Sequence, residues 1–277
     1  MKRNPVRVAT WNLWWRFGDW RLRNEAIAAT LAKLSADVIG LQEVWADGPH
    51  EQAGMLAERL GLQHAWCPAP STRRWRDRLP GSEGITVGNA VLSRWPITRV
   101  RGLHLSDPGA PDGRVALLTT VATPAGRIDV CSTQLTSVVP DGSARRTRQL
   151  ARLVRWLART RTGGHVPLAL VGDLNAEPDA DEIRRLRGTG TTPFVPGAVF
   201  VDAWSYRGDS DPGYTWRRDN PHAATAGEPW ARIDYVLLAP SATGLAAATT
   251  VGLFGTGPVG AVQPSDHAGV YADLTLP

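Results

Sequence analysis

One stretch constrains the fold of this chain more than any other: an apolar run that stops at a carboxylate and an amide. Residues 168–171 are Leu, Ala, Leu and Val, which is typical of a buried strand, and Gly172, Asp173 and Asn175 follow closely. Asp173 and Asn175 are two residues apart, so in an extended chain their side chains point to the same side. An Asx turn that closes a strand gives the same pattern. The stretch therefore predicts a buried strand that ends in a polar site, provided that other segments supply partners.

Four further apolar stretches end in the same way. They are W-N at residues 11–12, Q-E at 42–43, I-D-Y at 233–235 and S-D-H at 265–267. A pattern of apolar residues at helical spacing separates the first two stretches, and a strand-helix-strand unit places its strands side by side. Asn12 and Glu43 are therefore expected at neighbouring strand ends.

At these residues the chain resembles the endonuclease/exonuclease/phosphatase superfamily, a group of metal-dependent phosphoesterases. The order W-N, Q-E, G-D-x-N, I-D-Y and S-D-H runs from residue 11 to residue 267 and covers nearly the whole chain. The resemblance implies an α+β fold, a four-layer α-β-β-α sandwich in which two mostly antiparallel sheets pack face to face with helices outside. We find no repeat and no linker, so we expect one domain over residues 1–277.

The resemblance also implies catalytic roles for four residues. Asp234 is expected to hold the tautomer of His267, which then acts on the attacking water or binds the phosphate. Asp173 would orient or deprotonate the nucleophile, or protonate the leaving group. Asn175 would hold a phosphate oxygen.

The same resemblance implies a metal ion bound mainly by Glu43, with Asn12 and Asp266 near it. Carboxylate and amide oxygens are hard ligands and the chain has no Cys/His cluster, which favours Mg²⁺ or Mn²⁺ over Zn²⁺. Such an ion would polarise the phosphate as a Lewis acid.

Substrate contacts are expected from a loop and from two polar residues on strands. Residues 68–84 form a Pro/Gly/Arg-rich loop in which Arg74 could bind phosphate and Trp75 could stack on a base. The loop could equally be a solvated surface segment. Asn89 could reach a phosphate oxygen or cap a neighbouring turn.

Gln134 departs from the family pattern, because many members have T-H-L where this chain has T-Q-L. Glutamine carries no proton at neutral pH, although its amide can donate to a phosphate oxygen. Leaving-group protonation would then fall to Asp173 or to a metal-bound water.

Net charge alone does not decide the substrate. The formal charge of +5 favours a polyanion such as nucleic acid. However, only Lys2 and Lys33 are lysines among the 31 basic residues, a bias that is also typical of a GC-rich genome. No apolar run is long enough to span a membrane, so we expect a cytoplasmic protein with no membrane insertion. No protein partner is predicted.

The sequence therefore predicts a divalent-metal-dependent phosphoesterase that hydrolyses phosphodiester bonds, with nucleic acid as the favoured substrate. One alternative is a small-molecule or lipid-headgroup phosphatase or phosphodiesterase, since Trp11, Trp14, Trp15 and Trp20 could line an apolar pocket as readily as stack on bases. A second alternative is a non-hydrolytic or repurposed protein on this fold, which Gln134 favours.

Overall fold

The computed structural model describes residues 5–138, 141–160 and 166–277. Within these residues the strands are, in chain order, β1 (Val6–Asn12), β2 (Val38–Asp47), β3 (His50–Glu51), β4 (Gln63–Pro68), β5 (Ile85–Ser93), β6 (Ile97–His104), β7 (Val115–Thr123), β8 (Gly126–Gln134), β9 (Leu168–Asp173), β10 (Val201–Asp202), β11 (Asp234–Ala239), β12 (Ala247–Phe254) and β13 (Gly269–Thr275). The α-helices are α1 (Trp20–Leu34), α2 (Gln52–Leu60), α3 (Arg73–Arg76), α4 (Gly142–Thr160), α5 (Asp181–Arg187) and α6 (Pro221–Ala224), with a 3₁₀ helix at Ala203–Tyr206.

The strands form two sheets. The first has the order β12-β13-β1-β2-β5-β4, with β3 paired to β2, and the second has the order β10-β11-β9-β8-β7-β6. Only the β1/β2 and β8/β9 pairs are parallel among the pairs of the described strands. The prediction of two mostly antiparallel sheets is therefore confirmed.

Small and β-branched side chains fill the space between the sheets. Val8 and Val38 of the first sheet belong to the same buried cluster as Val171 and Val236 of the second. At Gly40 the sheets are so close that an added Cβ would lie 2.4 Å from a methyl carbon of Val171. The glycine is needed there because any side chain would push β2 away from β9.

Helices cover the outer faces of both sheets. The buried stripe of α1, with that of α2, packs on the first sheet around Ile39 and Leu41. The stripes of α4 and α5 pack on the second sheet around Leu118 and Leu170. This arrangement confirms the four-layer sandwich. The apolar residues Leu150, Leu153, Val154 and Leu157 recur at helical spacing in the sequence and predict a helix over residues 143–161. This helix corresponds to α4, and residue 161 lies outside the described residues.

Two of the four tryptophans that were expected to stack on bases or line an apolar pocket are fully buried. Trp11 and Trp15 are 0% exposed, because Trp11 packs edge-on against Phe254 and the indole N–H of Trp15 donates to the Thr86 carbonyl. No helix in the described part of the chain is both long and apolar enough to cross a membrane. The expectation of one domain over 1–277 stays a prediction.

Candidate active site

Strand pairing brings the polar ends of the second sheet together. In the antiparallel β9/β11 pair, Asp234 lies directly opposite Asp173, and in the parallel β8/β9 pair Gln134 is the register partner of Asp173. Gly172 precedes Asp173 with φ of 144°, and a Cβ there would lie 1.8 Å from the Thr133 carbonyl oxygen. Only glycine permits this approach of β9 to β8. The sequence thus places two carboxylates and an amide at one end of the sheet.

Asp173 is the centre of the hydrogen-bond network. Its Oδ2 accepts from the side-chain amides of Asn12 (3.1 Å), Gln134 (3.0 Å) and Asn175 (3.0 Å), and its Oδ1 accepts from the Asn175 backbone N–H (2.9 Å). The side chain is buried, and burial together with the negative charge of Asp234 raises the pKa of Asp173 to about 6. A carboxyl group with this pKa can exchange a proton near neutral pH.

His267 and Asp234 form a buried pair. Nδ1 of His267 lies 2.9 Å from Oδ2 of Asp234, and the Trp216 ring packs edge-on against the imidazole at a centroid distance of 5.0 Å. Burial alone would lower the pKa of His267, but the charges of Asp234 and Asp266 outweigh it, so that this pKa is raised well above its ordinary value. Oδ1 of Asp234 is buried without a hydrogen-bond partner. The pairing leaves Nε2 of His267 as the ring nitrogen that can meet a substrate.

Glu43 approaches this cluster from the first sheet. The β2/β5 register shifts between Leu41 and Val44, and Glu43 has φ of 52°, a conformation uncommon for a residue other than glycine. This irregularity directs its carboxylate toward the second sheet, where Oε1 accepts from the Gln134 amide at 2.8 Å. Gln134 therefore links Glu43 to Asp173.

Asp266 lies near the same charges. It is 7% exposed, and burial, with contributions from the charges of Glu43 and Asp173, raises its pKa to about 7. His267 and Arg23 act in the opposite direction on this pKa. Several buried carboxylates with raised pKa values are the environment that a divalent cation would stabilise, since the ion favours their charged forms.

The donors fit a hard divalent cation. Ligand atoms of Asp173, Asp234 and His267 all lie within 4.8 Å of one another. Oδ1 of Asp234 also has no hydrogen-bond partner among the described residues. This group differs from the predicted metal ligands Glu43, Asn12 and Asp266, whose role stays a prediction. Oδ1 of Asn12 accepts the Trp14 N–H at 2.9 Å and keeps a second lone pair.

Two predicted phosphate donors are already engaged. The single amide nitrogen of Gln134 donates to both Glu43 and Asp173, and that of Asn175 donates to Asp173 and to the Leu135 carbonyl. An amide has only two N–H groups. In this arrangement both amides orient the carboxylates, and a hydrogen bond from Gln134 to a phosphate oxygen stays a prediction.

The predicted substrate residues of the 68–84 loop differ in exposure. Trp75 is 3% exposed and packs with Trp15, Trp45 and Val87, so its ring cannot stack on a base as expected. Arg74 is half-buried, and its guanidinium donates to the Ser137 hydroxyl at 3.1 Å. Asn89 is 3% exposed and donates to the Val115 carbonyl at 2.7 Å, which supports the structural reading of this residue.

Sequence reasoning missed Arg114, which immediately precedes β7. It is 2% exposed, lies over the Trp75 ring at 4.8 Å, and its Nε and Nη1 atoms are buried without hydrogen-bond partners. Burial lowers its pKa, whereas the charges of Asp112, Glu43 and Asp173 raise it. With Asn89 and Gln134 it lines a small cavity of about 10 Å³, the size of one water. The sequence feature that could have identified Arg114 is an arginine directly before an apolar strand.

Arg23 was also missed. This 2% exposed side chain on α1 donates five hydrogen bonds to backbone carbonyls, at Leu13, Trp14, Trp15, Phe17 and Pro264. It therefore ties the loop after Asn12 to the segment that carries Asp266 and His267. Its signal is an arginine on the buried stripe of a predicted helix, at helical spacing from Ile27 and Leu31.

Two face-packed sheets with helices outside form an α-β-β-α sandwich that carries a buried carboxylate and imidazole cluster at the strand ends. A sequence model of the Endonuclease/Exonuclease/phosphatase family matches residues 9–267. The chain therefore belongs to the endonuclease/exonuclease/phosphatase family. No curated protein sequence matches it.

Solved structures share the fold at low sequence identity. An endonuclease/exonuclease/phosphatase from Beutenbergia cavernae DSM 12333 is 24% identical, with 99% of this chain and 72% of that chain covered and a TM-score of 0.73. The human Nocturnin catalytic domain is 20% identical over 99% of this chain and 95% of that chain (TM-score 0.72). D. rerio TDP2 complexed with single strand DNA product is 18% identical over 99% and 100% (TM-score 0.74). At these identities the likeness shows the fold alone.

Proposed function

We propose that the protein is a divalent-metal-dependent phosphoesterase that hydrolyses a phosphodiester, with nucleic acid as the substrate class. The observation that carries this proposal is the convergence of Asp173, Asp234 and His267 within 4.8 Å in a buried cluster. Two carboxylates and an imidazole in one buried cluster are suited to acid-base hydrolysis, and the pKa values of Asp173 and His267 are both raised there.

The metal ion would be Mg²⁺ or Mn²⁺. One ligand set is the carboxylates of Glu43 and Asp266, and the other is the carboxylates of Asp173 and Asp234 with the imidazole of His267. When bound, it supplies Lewis-acid polarisation of the phosphate. The raised pKa values of Asp173 and Asp266 support such a site, because a cation there relieves the repulsion among buried carboxylates.

The residues of the chain divide the remaining tasks. Asp234 fixes His267 through Nδ1, so Nε2 is available to bind a phosphate oxygen or to move a proton. Asp173, with a pKa of about 6, is suited to orient and deprotonate the attacking water. Asn12, Gln134 and Asn175 hold the Asp173 carboxylate in one orientation. These three amides are fixed hydrogen-bond donors to Asp173. They keep its carboxylate in place although Gln134 carries no proton at neutral pH.

Cationic side chains beside this cluster support a phosphate-ester substrate. The charge of Arg114 acts on Glu43 and Asp173, and Arg74 lies close enough to lower the pKa of Arg114. Nε of Arg114 lies 3.7 Å from Asp112, and within the described residues Nη1 makes no hydrogen bond, so Nη1 suits a phosphate oxygen or a water that bridges to one. The DNA-bound TDP2 structure shows that this fold accommodates a single DNA strand, which favours nucleic acid over a lipid headgroup.

The test is turnover of bis-p-nitrophenyl phosphate and of an oligonucleotide with Mg²⁺, with Mn²⁺ and with a chelator. We expect metal-dependent turnover that falls on the order of 10²–10⁴-fold in His267→Ala. His64→Ala is the matched control, since His64 is a surface histidine paired with Glu51 at 3.4 Å. A wild-type protein inert toward phosphodiesters and phosphomonoesters with both metals would overturn the proposal and leave a non-hydrolytic role on this fold.

A further inference from the structure

Helix α4 has a charge pattern that does not stabilise a helix. It carries six arginines and no acidic residue in its 19 positions. Arginines in its first turns oppose the helix dipole, and the pairs Arg148/Arg152 and Arg155/Arg159 place like charges four residues apart. Such a pattern requires negative charge from outside the helix.

The protein itself supplies only part of that charge. Arg146 is paired with the buried Glu182 at 2.6 Å, and Asp107 lies 3.8 Å from Arg148 and 3.3 Å from Arg152. Within residues 5–138, 141–160 and 166–277, no hydrogen bond or ion pair is made by the guanidinium groups of Arg155 and Arg159. The C-terminal half of α4 therefore presents uncompensated positive charge.

These side chains line a groove of about 580 Å³ beside the edge strand β6. We call it the arginine groove and define it by Leu103, Arg148, Arg152, Arg155, Trp156 and Arg159. Its lining includes no acidic side chain. Trp156 is partly buried against the apolar cluster under α4, and it lines the groove together with four arginines.

Arg148 also lines a second cavity, of about 290 Å³. Arg145 adds positive charge to its lining, whereas Asp107 and Asp112 add negative charge. The charge that favours a polyanion therefore lies in the arginine groove itself.

We propose that the arginine groove binds a single-stranded nucleic acid outside the catalytic cleft. This inference rests on the proposed function for the choice of polyanion. Guanidinium groups four residues apart lie about 6 Å apart along the helix, so that several can contact the phosphates of one strand. Trp156 offers a face for a base, and base stacking does not depend on sequence. A flexible nucleic-acid strand can follow a concave groove of this size, whereas an anionic membrane surface would contact only the rim of the groove.

The test is the affinity of the full chain for a labelled oligo-dT, measured by fluorescence anisotropy across a salt series. In Arg155→Gln/Arg159→Gln we expect binding about tenfold weaker and a slope of log K against log salt reduced by about 1.4, or about 0.7 per lost phosphate contact. In Trp156→Leu we expect about tenfold weaker binding from lost stacking. The matched control is Arg59→Gln/Arg94→Gln, which removes the same charge from arginines paired with Glu25 and Asp37.

Unchanged affinity in the groove variant, or an equal loss in the control, would overturn the inference. Competition by polyglutamate as strong as that by unlabelled oligo-dT, with no effect of Trp156→Leu, would identify an acidic polypeptide instead. Binding to vesicles containing anionic lipid, without oligo-dT binding, would also overturn it. Hydrolysis of bis-p-nitrophenyl phosphate is expected to be the same in all variants. That readout tests the proposed function separately, because a small diester does not need the groove.

Discussion

Replacing Asp234 by asparagine tests the central pair of the site. The Asp234 carboxylate lies 2.9 Å from Nδ1 of His267, and both side chains are buried. At an effective dielectric constant of about 20, this separation corresponds to a gross attraction of about 6 kcal/mol between the two charges. Desolvation cancels several kcal/mol of that attraction. About 3 kcal/mol then remains for holding the charged imidazole, which equals about 10²-fold in rate.

We therefore expect kcat for bis-p-nitrophenyl phosphate to fall about 10²-fold in Asp234→Asn, with little change in KM. The acidic limb of the pH-rate profile should move to lower pH, because the charge of Asp234 contributes to raising the pKa of Asp173 to about 6. The melting temperature should change little, because the lost pairing with His267 is offset by the removal of one of two like charges that face each other across β9 and β11. Unlike an arginine, His267 can also release its proton once its partner is neutral.

Asp202→Asn is the matched control for this experiment. Asp202 is another buried aspartate, and it accepts from the Arg232 guanidinium at 2.8 Å. Its substitution leaves that cation buried and weakly paired, so the melting temperature should fall while kcat of the folded enzyme is retained. The reasoning is refuted if Asp234→Asn keeps kcat within about threefold of wild type, or if both variants lose activity equally.

Three further predictions concern the metal, the pH and the loop. Glu43→Gln should abolish the rise in melting temperature caused by Mg²⁺, measured by calorimetry; an unchanged rise would exclude Glu43 as a ligand. Since the pKa values of Asp173 (about 6) and Asp266 (about 7) exceed about 3.9, the value in an unfolded chain, their protonation stabilises the metal-free protein at low pH. The melting temperature should therefore fall from about pH 5 to about pH 8; a rise would contradict these shifts. Trp75→Ala should cost about 3–5 kcal/mol in chemical denaturation, because the ring is buried, whereas Arg74→Gln should raise KM with unchanged stability.

The strand ends that carry the site were predictable because their signals are local. An apolar run that stops at a polar residue gives both the strand and the residue at its end, as at Asn12 and Asp173. Asp234 instead begins β11, although the sequence predicted it at the end of a strand. The order of such runs then indicated the family, and with it the pairing of sheets. Helix α4 was equally readable from its apolar stripe.

The failures have one physical cause, since they depend on partners that lie far away along the chain. Trp75 is in a loop by local pattern, yet it is buried because Trp15, Trp45 and Val87 come from three other segments. The sequence likewise does not reveal that the Gln134 amide donates to two carboxylates, one from each sheet. The unpartnered donors of Arg114 likewise become evident only when its surroundings are in place.

The pairing of β1 with β13 has a consequence for biosynthesis. The indole of Trp11 donates to the His267 carbonyl across 256 residues of sequence, and the Ser265 hydroxyl donates to the Asn12 carbonyl across 253. A ribosome-bound chain that has emerged only as far as β12 cannot contain the imidazole or close this contact. Contacts at such separation also form slowly, because loop closure must precede them. The candidate active site thus stays incomplete on the ribosome until the strand that follows His267 has been made and has docked.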